Sequence, residues 1–213
     1  MLSFFEHISV SESPLVKASL SESKFLSIKG KSSWFNSIER ILDFGGLGPN
    51  MGQVEETFKK IYKDKWERER LSSLNEGKLG ILARCKKEFA LSPYLESTMF
   101  PSYKRALAKF RTSAHKLPIE IERYSNTPRS ARVCIFGCDA IGDEAHYLLE
   151  CKNPGIREVY LPYVNKIFSD DRFTKMNNES KMIFILSEAS NALMWTSGKL
   201  CYKVLARYKE ITG

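Results

Sequence analysis

The sequence predicts an all-α fold: a helical bundle carrying one small cysteine- and histidine-rich segment, with at most a short hairpin at 130–140. Three observations carry that expectation. Apolar residues recur at helical spacing over most of the chain. Runs of alternating β-branched residues, the mark of half-buried strands, are scarce. Gly and Pro punctuate the periodic runs at 45–49, 77–80, 93 and 118.

The elements follow in order. Residues 1–32 are rich in Ser and predict a loosely ordered segment with one short helix around Leu15–Leu26. Ser33 can cap a helix whose Phe35, Ile38, Ile41 and Leu42 share a face, and Gly45, Gly46, Gly48 and Pro49 stop it. That glycine cluster lacks the spacing and the strand-to-helix context of a phosphate loop, so a helix stop is the better reading. Gln53 to Leu74 predicts a long helix with Val54, Phe58, Ile61 and Tyr62 on its stripe, and Glu55/Lys59 and Glu56/Lys60 as i,i+4 pairs. A shorter helix is expected over Leu79–Leu91, closed by Pro93. Residues 102–117 give the cleanest pattern. Tyr103, Ala106, Leu107, Phe110, Ala114 and Leu117 fall on one face; Lys104, Arg105, Lys109, Arg111, His115 and Lys116 fall on the other. Further helices are expected at 143–151, 155–167, 179–195 and 198–209. The predicted organisation is an N-terminal segment 1–32, a basic helical domain 33–127, a metal-binding segment 128–167 and C-terminal helices 168–213.

Composition sets the outer limits. Of 213 residues, 43% are hydrophobic and 12% aromatic, which excludes global disorder. The best apolar run, Met182–Leu186, is far short of the ~18 residues of a membrane span, so no membrane partner is expected. Met1–Val10 carries an acid and no Lys or Arg, unlike a signal peptide's first region. The chain is therefore expected to be intracellular, in nucleus or cytoplasm, and not secreted. Its 5 cysteines are then better read as thiols or metal ligands than as disulfides.

The sharpest motif is Cys134-Ile-Phe-Gly-Cys138, followed by His146 and Cys151. Two close-spaced pairs of soft ligands joined by a loop suit a tetrahedral ion. Cys134 and Cys138 form the first pair on a turn, which Gly137 eases. His146 and Cys151 form the second, on a short helix that Asp143 can cap. All four positions are protein side chains, so one structural Zn2+ is expected and not a catalytic one. Asp143 or Glu144 could orient His146 through its second ring nitrogen. The competing reading is buried cysteines with a core histidine. Cys85 and Cys201 fit ordinary helix faces and are not expected to bind metal.

At these residues the chain resembles the C-terminal region of non-LTR (LINE-type) retrotransposon reverse transcriptases, in which endonuclease and polymerase are followed by a helical and zinc-binding tail. The resemblance covers about residues 33–167. It is carried by Ser33-Trp-Phe-Asn-Ser-Ile-Glu-Arg-Ile-Leu42, by Leu107-Ala-Lys-Phe-Arg-Thr-Ser-Ala-His-Lys-Leu-Pro-Ile-Glu120, by Arg123-Tyr124, Pro128-Arg129 and Cys134, and by Gly142-Asp-Glu-Ala-His-Tyr-Leu-Leu-Glu-Cys151. It implies that Cys134, Cys138, His146 and Cys151 hold zinc in a segment that helps a polymerase grip RNA or target DNA. The family usually spaces its first cysteines C-x2-C; here they stand C-x3-C on a longer turn. Phe168-Ser169-Asp170-Asp171 superficially reads like a polymerase aromatic-x-Asp-Asp motif. It lies after the zinc segment and has no hairpin around it, so a solvated loop or helix cap is expected. No nucleophile elbow, zincin or P-loop motif appears, and no enzymatic activity is expected.

Charge adds a second theme. The chain has 33 Lys+Arg against 25 Asp+Glu, a formal charge of +8. Residues 59–111 hold 14 Lys+Arg and 6 Asp+Glu, matching that whole excess. The face with Lys104, Arg105, Lys109, Arg111 and Lys116 contains no acid, and Arg123, Arg129 and Arg132 then lead into the metal turn. These residues are the expected phosphate contacts, through RNA or DNA backbone. Tyr103 and Phe110 should be core; Trp66 is left open. Two functions remain: a non-catalytic zinc-stabilised nucleic-acid-binding module, or a helical protein-interaction scaffold with a purely structural zinc. In the second, Ile183, Ile185, Leu186, Leu193, Met194 and Trp195 would dock a partner, such as a reverse transcriptase body. That stripe is either core or interface.

Overall fold

The computed structural model describes residues 7–8, 10–44, 54–75, 77–167, 171–187 and 191–213. The glycine cluster at 45–49, and Phe168, Ser169 and Asp170, lie outside the described residues. Among the described residues every regular element is helical, and the one extended pairing is a bridge between Val133 and Ile141. No helix among them is long and apolar enough to cross a membrane. The chain divides into two compact units, 1–67 and 68–213, and the division falls within one helix.

In the first unit, α1 (Pro14–Ile28) begins with Pro at its first turn, where a missing N–H costs nothing. It packs on α2 (Trp34–Phe44). Ser23, 4% exposed, accepts a hydrogen bond from the Phe35 N–H at 3.3 Å, and Ser27 Oγ donates to Glu39 at 2.9 Å. Ser33 caps α2 as its sequence suggests. Its Oγ accepts from the Asn36 N–H (3.3 Å), and Asn36 Oδ1 accepts in return from the Ser33 N–H (3.0 Å), so two orphan donors are satisfied reciprocally. α3 (Val54–Asn75) follows, close to its expected bounds.

The second unit is built on α6 (Pro101–Arg111) and α12 (Asn191–Thr212), which pack along one another. Gly198 of α12 makes this possible. A Cβ there would stand 2.6 Å from Met99 Sδ and 3.2 Å from Tyr103 Cβ, inside van der Waals contact. Before α6 come α4 (Gly80–Cys85) and α5 (Pro93–Glu96). After it come α7 (Pro118–Ile121), a 3-10 turn at Arg129–Ala131, α8 (Glu144–Leu149), α9 (Pro154–Ile167), α10 (Asp171–Thr174) and α11 (Asn178–Leu186). α9 packs on α12, and α11 packs on α8, α4 and α12. Phe110, Leu117, Tyr147, Leu148, Ile185 and Val204 are fully buried in one shared core. Each such side chain contributes about 1.5–3 kcal/mol by leaving water.

Four expectations need correction. The helix expected over Leu79–Leu91 ends at Cys85, because Lys86 is extended and its ammonium turns back to the Ala90 carbonyl. The helix expected over 102–117 ends at Arg111: Ser113 sits at φ +48, a left-handed conformation that a helix cannot continue through. Ala114, placed on the apolar face, is therefore exposed, and His115, placed on the basic face, is buried. Pro118 does not end a helix but opens α7, at a first-turn position that suits its fixed φ. The helix expected over 179–195 is divided. α11 stops at Leu186, where Ser187 is extended, and α12 starts at Asn191. Across that break Ile185, Leu186 and Met194 are core, and Ile183, Leu193 and Trp195 are half-buried against it.

Candidate metal centre

Cys134 enters the site on a tight reversal. Its N–H donates to the Ala140 carbonyl (2.8 Å), and the Gly142 N–H donates to the Arg132 carbonyl (2.8 Å), flanking the Val133–Ile141 bridge. Within the turn the Gly137 N–H reaches back to the Cys134 carbonyl at 3.2 Å. Gly137 has φ +71, a conformation only glycine adopts without strain, so it does ease the reversal that brings Cys138 beside Cys134. Phe136, between the two cysteines, anchors the turn. Its ring centroid lies 6.2 Å from Tyr147 and 5.9 Å from Tyr208.

The second pair comes from α8. Asp143 caps it, Oδ1 accepting from the His146 N–H at 3.0 Å, as the sequence predicts. The helix ends after Leu149, and the Cys151 N–H folds back on the His146 carbonyl at 2.8 Å. The result is a closed set. One ligand atom from each of Cys134, Cys138, His146 and Cys151 lies within 4.8 Å of the other three. The Cys138 and Cys151 sulfurs are 3.9 Å apart. Cys134, His146 and Cys151 are buried and Cys138 is half-buried, so the four could hold a metal ion away from water.

The chemistry of the donors fits a cation. Both ring nitrogens of His146 are buried without a hydrogen-bond partner, an arrangement that costs free energy unless one of them binds something. Burial lowers the His146 imidazole below its usual range, against the opposing pull of Glu150 and Asp143, so the ring is neutral and able to ligate. Burial raises the Cys138 thiol, but the Lys152 N–H (3.4 Å from the sulfur), the neighbouring Cys134 and Cys151 and the Asn153 N–H outweigh it, and the net shift is downward. Burial pushes the Cys151 thiol up to about 12, and the nearby cysteines add to the rise. Burial also drives the Tyr147 phenol up, with Cys134 beside it contributing. A cation held between these sulfurs would favour their thiolate form, because its charge would outweigh their mutual repulsion.

The expected orienting partners of His146 are committed elsewhere. Asp143 Oδ1 serves the backbone cap. Glu144 Oε1 accepts from Ser113 Oγ (2.7 Å) and His115 Nε2 (3.0 Å). Glu150 Oε2 stands instead 4.0 Å from His146 Nδ1. The Glu144 cluster escaped sequence reasoning. Its side chains are 0% (His115) and 5% (Glu144) exposed, and the Leu117 N–H donates to His115 Nδ1 at 3.3 Å. His115 Nδ1 therefore carries no proton, and Nε2–H is the donor to the carboxylate. This cluster ties the chain just after α6 to the first residue of α8. In the sequence Glu144 stands only as a candidate partner of His146; its pairing with Ser113 and His115, 31 and 29 residues away, has no local signal.

The expected phosphate contacts divide. Arg105 and Lys109 are exposed on α6, and Lys116 is exposed on the loop beyond it. Lys104 is half-buried, its ammonium donating to the Leu95 carbonyl at 2.7 Å. Arg111 is 1% exposed, its guanidinium carbon 5.1 Å from the Tyr94 ring centroid. Burial behind α5 removes Arg111 from any solvent-facing strip, contrary to the helical wheel. Arg123 pairs with Glu120 (3.5 Å) and Arg129 with Asp143 (3.2 Å). Arg132 donates to the Thr127 (2.8 Å) and Ile119 (2.9 Å) carbonyls. Those three arginines line a cleft of about 490 Å³ together with Arg84, Glu120 and Glu144. Asp171 opens α10. Cys85 and Cys201 lie outside the four-ligand set, and burial pushes the Cys201 thiol well up. Comparison with protein-family models, with curated proteins and with solved structures gives no match to this chain.

Proposed function

We propose that the chain is a non-catalytic nucleic-acid-binding module whose second unit is stabilised by one structural Zn2+. The observation that carries this reading is the closed Cys134/Cys138/His146/Cys151 set. A tetrahedral zinc with Zn–S bonds of about 2.3 Å separates its sulfurs by about 3.8 Å. The Cys138–Cys151 separation of 3.9 Å fits that edge. Four protein ligands leave no position for a reacting water, so the ion's work is structural. It orders the loop after Arg129–Arg132 and, through α8 and Glu144, the end of α6. Arg105, Lys109 and Lys116 supply solvent-facing cations with no acid between 104 and 116. On this reading RNA or DNA is gripped through its backbone, in the manner of the polymerase tail that the chain resembles, and a reverse transcriptase body is the natural protein neighbour.

The test is Arg105→Ala combined with Lys109→Ala. Both side chains are exposed, so the melt should stay within about 0.5 kcal/mol of wild type. Binding to an RNA or DNA oligonucleotide should weaken, and the salt slope should fall by about 0.7–0.9 for each lost contact. Fluorescence anisotropy at two salt concentrations measures both. Wild-type affinity with a wild-type slope would remove this face from the contact surface.

A further inference from the structure

The seam between α6 and α12 carries a row of rings that neither the metal centre nor the backbone contacts use. Trp195 and Phe100 have centroids 5.8 Å apart, Phe100 and Tyr103 5.5 Å, and Tyr103 and Tyr202 5.4 Å. Phe100 is 59% and Tyr202 42% exposed, so the row opens to water at two points. The close contact at Gly198 holds Tyr103 against α12 and keeps the row continuous.

The surroundings of the row are cationic. Pro101–Arg111 contains no acid, and Asn191–Thr212 contains none before Glu210. Lys199 follows Trp195 by one turn and precedes Tyr202 by another, and it is exposed. Lys104 and Arg105 flank Phe100 and Tyr103 on the α6 side. Lys203 is exposed and reaches the Tyr163 ring, 5.6 Å from its centroid. Protein interfaces are depleted of lysine at their cores, so rings interleaved with ammonium groups suit a dry protein contact poorly. They suit an anionic strand whose bases have free π-faces. A duplex cannot offer those faces, because its bases already stack on one another.

We propose that this seam is a stacking surface for unpaired bases of single-stranded nucleic acid, with Phe100 and Tyr202 as the exposed stacking rings and Arg105 and Lys199 as backbone contacts. The proposal rests on the nucleic-acid reading above and adds the strand state and the contacting rings. The full chain, its folding checked by circular dichroism, is titrated with oligo-dT, oligo-U and a duplex of equal length. Wild type should prefer the single strands. Phe100→Ala and Tyr202→Ala should each weaken single-strand binding about 5- to 100-fold with little change in salt slope. Duplex binding should not change. Lys199→Ala should instead lower the slope by about 0.7.

Ultraviolet cross-linking of wild type to oligo-dT, read by peptide mass spectrometry, needs no variant and should label residues 99–104 or 195–203. Labels only elsewhere, or unchanged single-strand affinity in the folded Phe100/Tyr202 double variant, overturn the seam and leave the broader reading standing. Absence of binding to every oligonucleotide overturns both. Self-association abolished by Tyr202→Ala, with no oligonucleotide bound, assigns the rings to a protein contact and overturns the proposal.

Discussion

Cys151→Ser should remove the bound metal and unfold the segment from Cys134 to Cys151, where Cys201→Ser should leave the metal in place. Both residues are 0% exposed, so burial alone does not distinguish them. Their chemistry does. Cys151 lies within the four-ligand set, and its sulfur is 3.9 Å from that of Cys138. Structural zinc contributes about 10–16 kcal/mol in small folded modules, comparable with the ~5–15 kcal/mol that holds a whole domain together. Cys134, Tyr147, Leu148 and Cys151 share one core with Phe110 and Leu200, so loss of the ion should propagate beyond the loop. The expected result for Cys151→Ser is a destabilisation of at least about 3–5 kcal/mol with loss of the cooperative melt. Cys201→Ser buries a hydroxyl and should cost about 1–3 kcal/mol with unchanged metal content. Thermal melts and metal analysis of the two variants, run side by side, make the comparison.

The second large effect is expected at Glu144, whose buried pairing with Ser113 and His115 no sequence motif marks. Glu144→Ala leaves Ser113 Oγ and His115 Nε2 as buried donors without their acceptor. At about 1–3 kcal/mol for each orphaned group, the loss should be roughly 2–6 kcal/mol. Glu144→Gln keeps an acceptor oxygen but removes the charge, so its loss should be smaller and should change the pH dependence. Burial raises the Glu144 carboxyl, but the hydrogen bonds from His115 and from the Ser113 hydroxyl outweigh it, and the net shift is downward. The unfolded chain therefore binds more protons than the folded one in the acid range. The stabilisation is complete above the ordinary glutamate value of about 4.3 and is lost as pH falls through the lower folded value. Urea melts across that window should show a steep acid limb in wild type and a flatter one in Glu144→Gln. Equal limbs would mean that the buried carboxylate is not ionised in the folded protein.

The four candidate ligands were legible because their signal is local. Soft ligands at short spacing, a glycine between the first pair and an aspartate before the second specify a turn and a capped helix without reference to the rest of the chain. The cap at Ser33 was legible for the same reason. The end of α6 was not. Its hydrophobic period continues to Leu117, yet Ser113 turns left-handed and His115 swings inward, because a carboxylate far along the chain at Glu144 offers both a partner. Arg111 shows the same limit. Its wheel position marks it as basic surface, but Tyr94 of α5 covers it, and nothing in the sequence places α5 there. The break after Leu186 did carry a local signal, the polar stretch Ser187-Glu-Ala-Ser-Asn191 with its capping residues, but the apolar residues on both sides, at 183–186 and 193–195, gave more weight to one continuous helix.

The central claim is that an ion joins Cys134, Cys138, His146 and Cys151 and holds the second unit together. Native mass spectrometry of the purified full chain, paired with a thermal melt before and after a strong chelator, tests it most directly. The account predicts one zinc per chain, removed by the chelator together with a large fall in melting temperature and restored by added zinc. A chain that carries no metal, and melts identically with and without chelator, would contradict it.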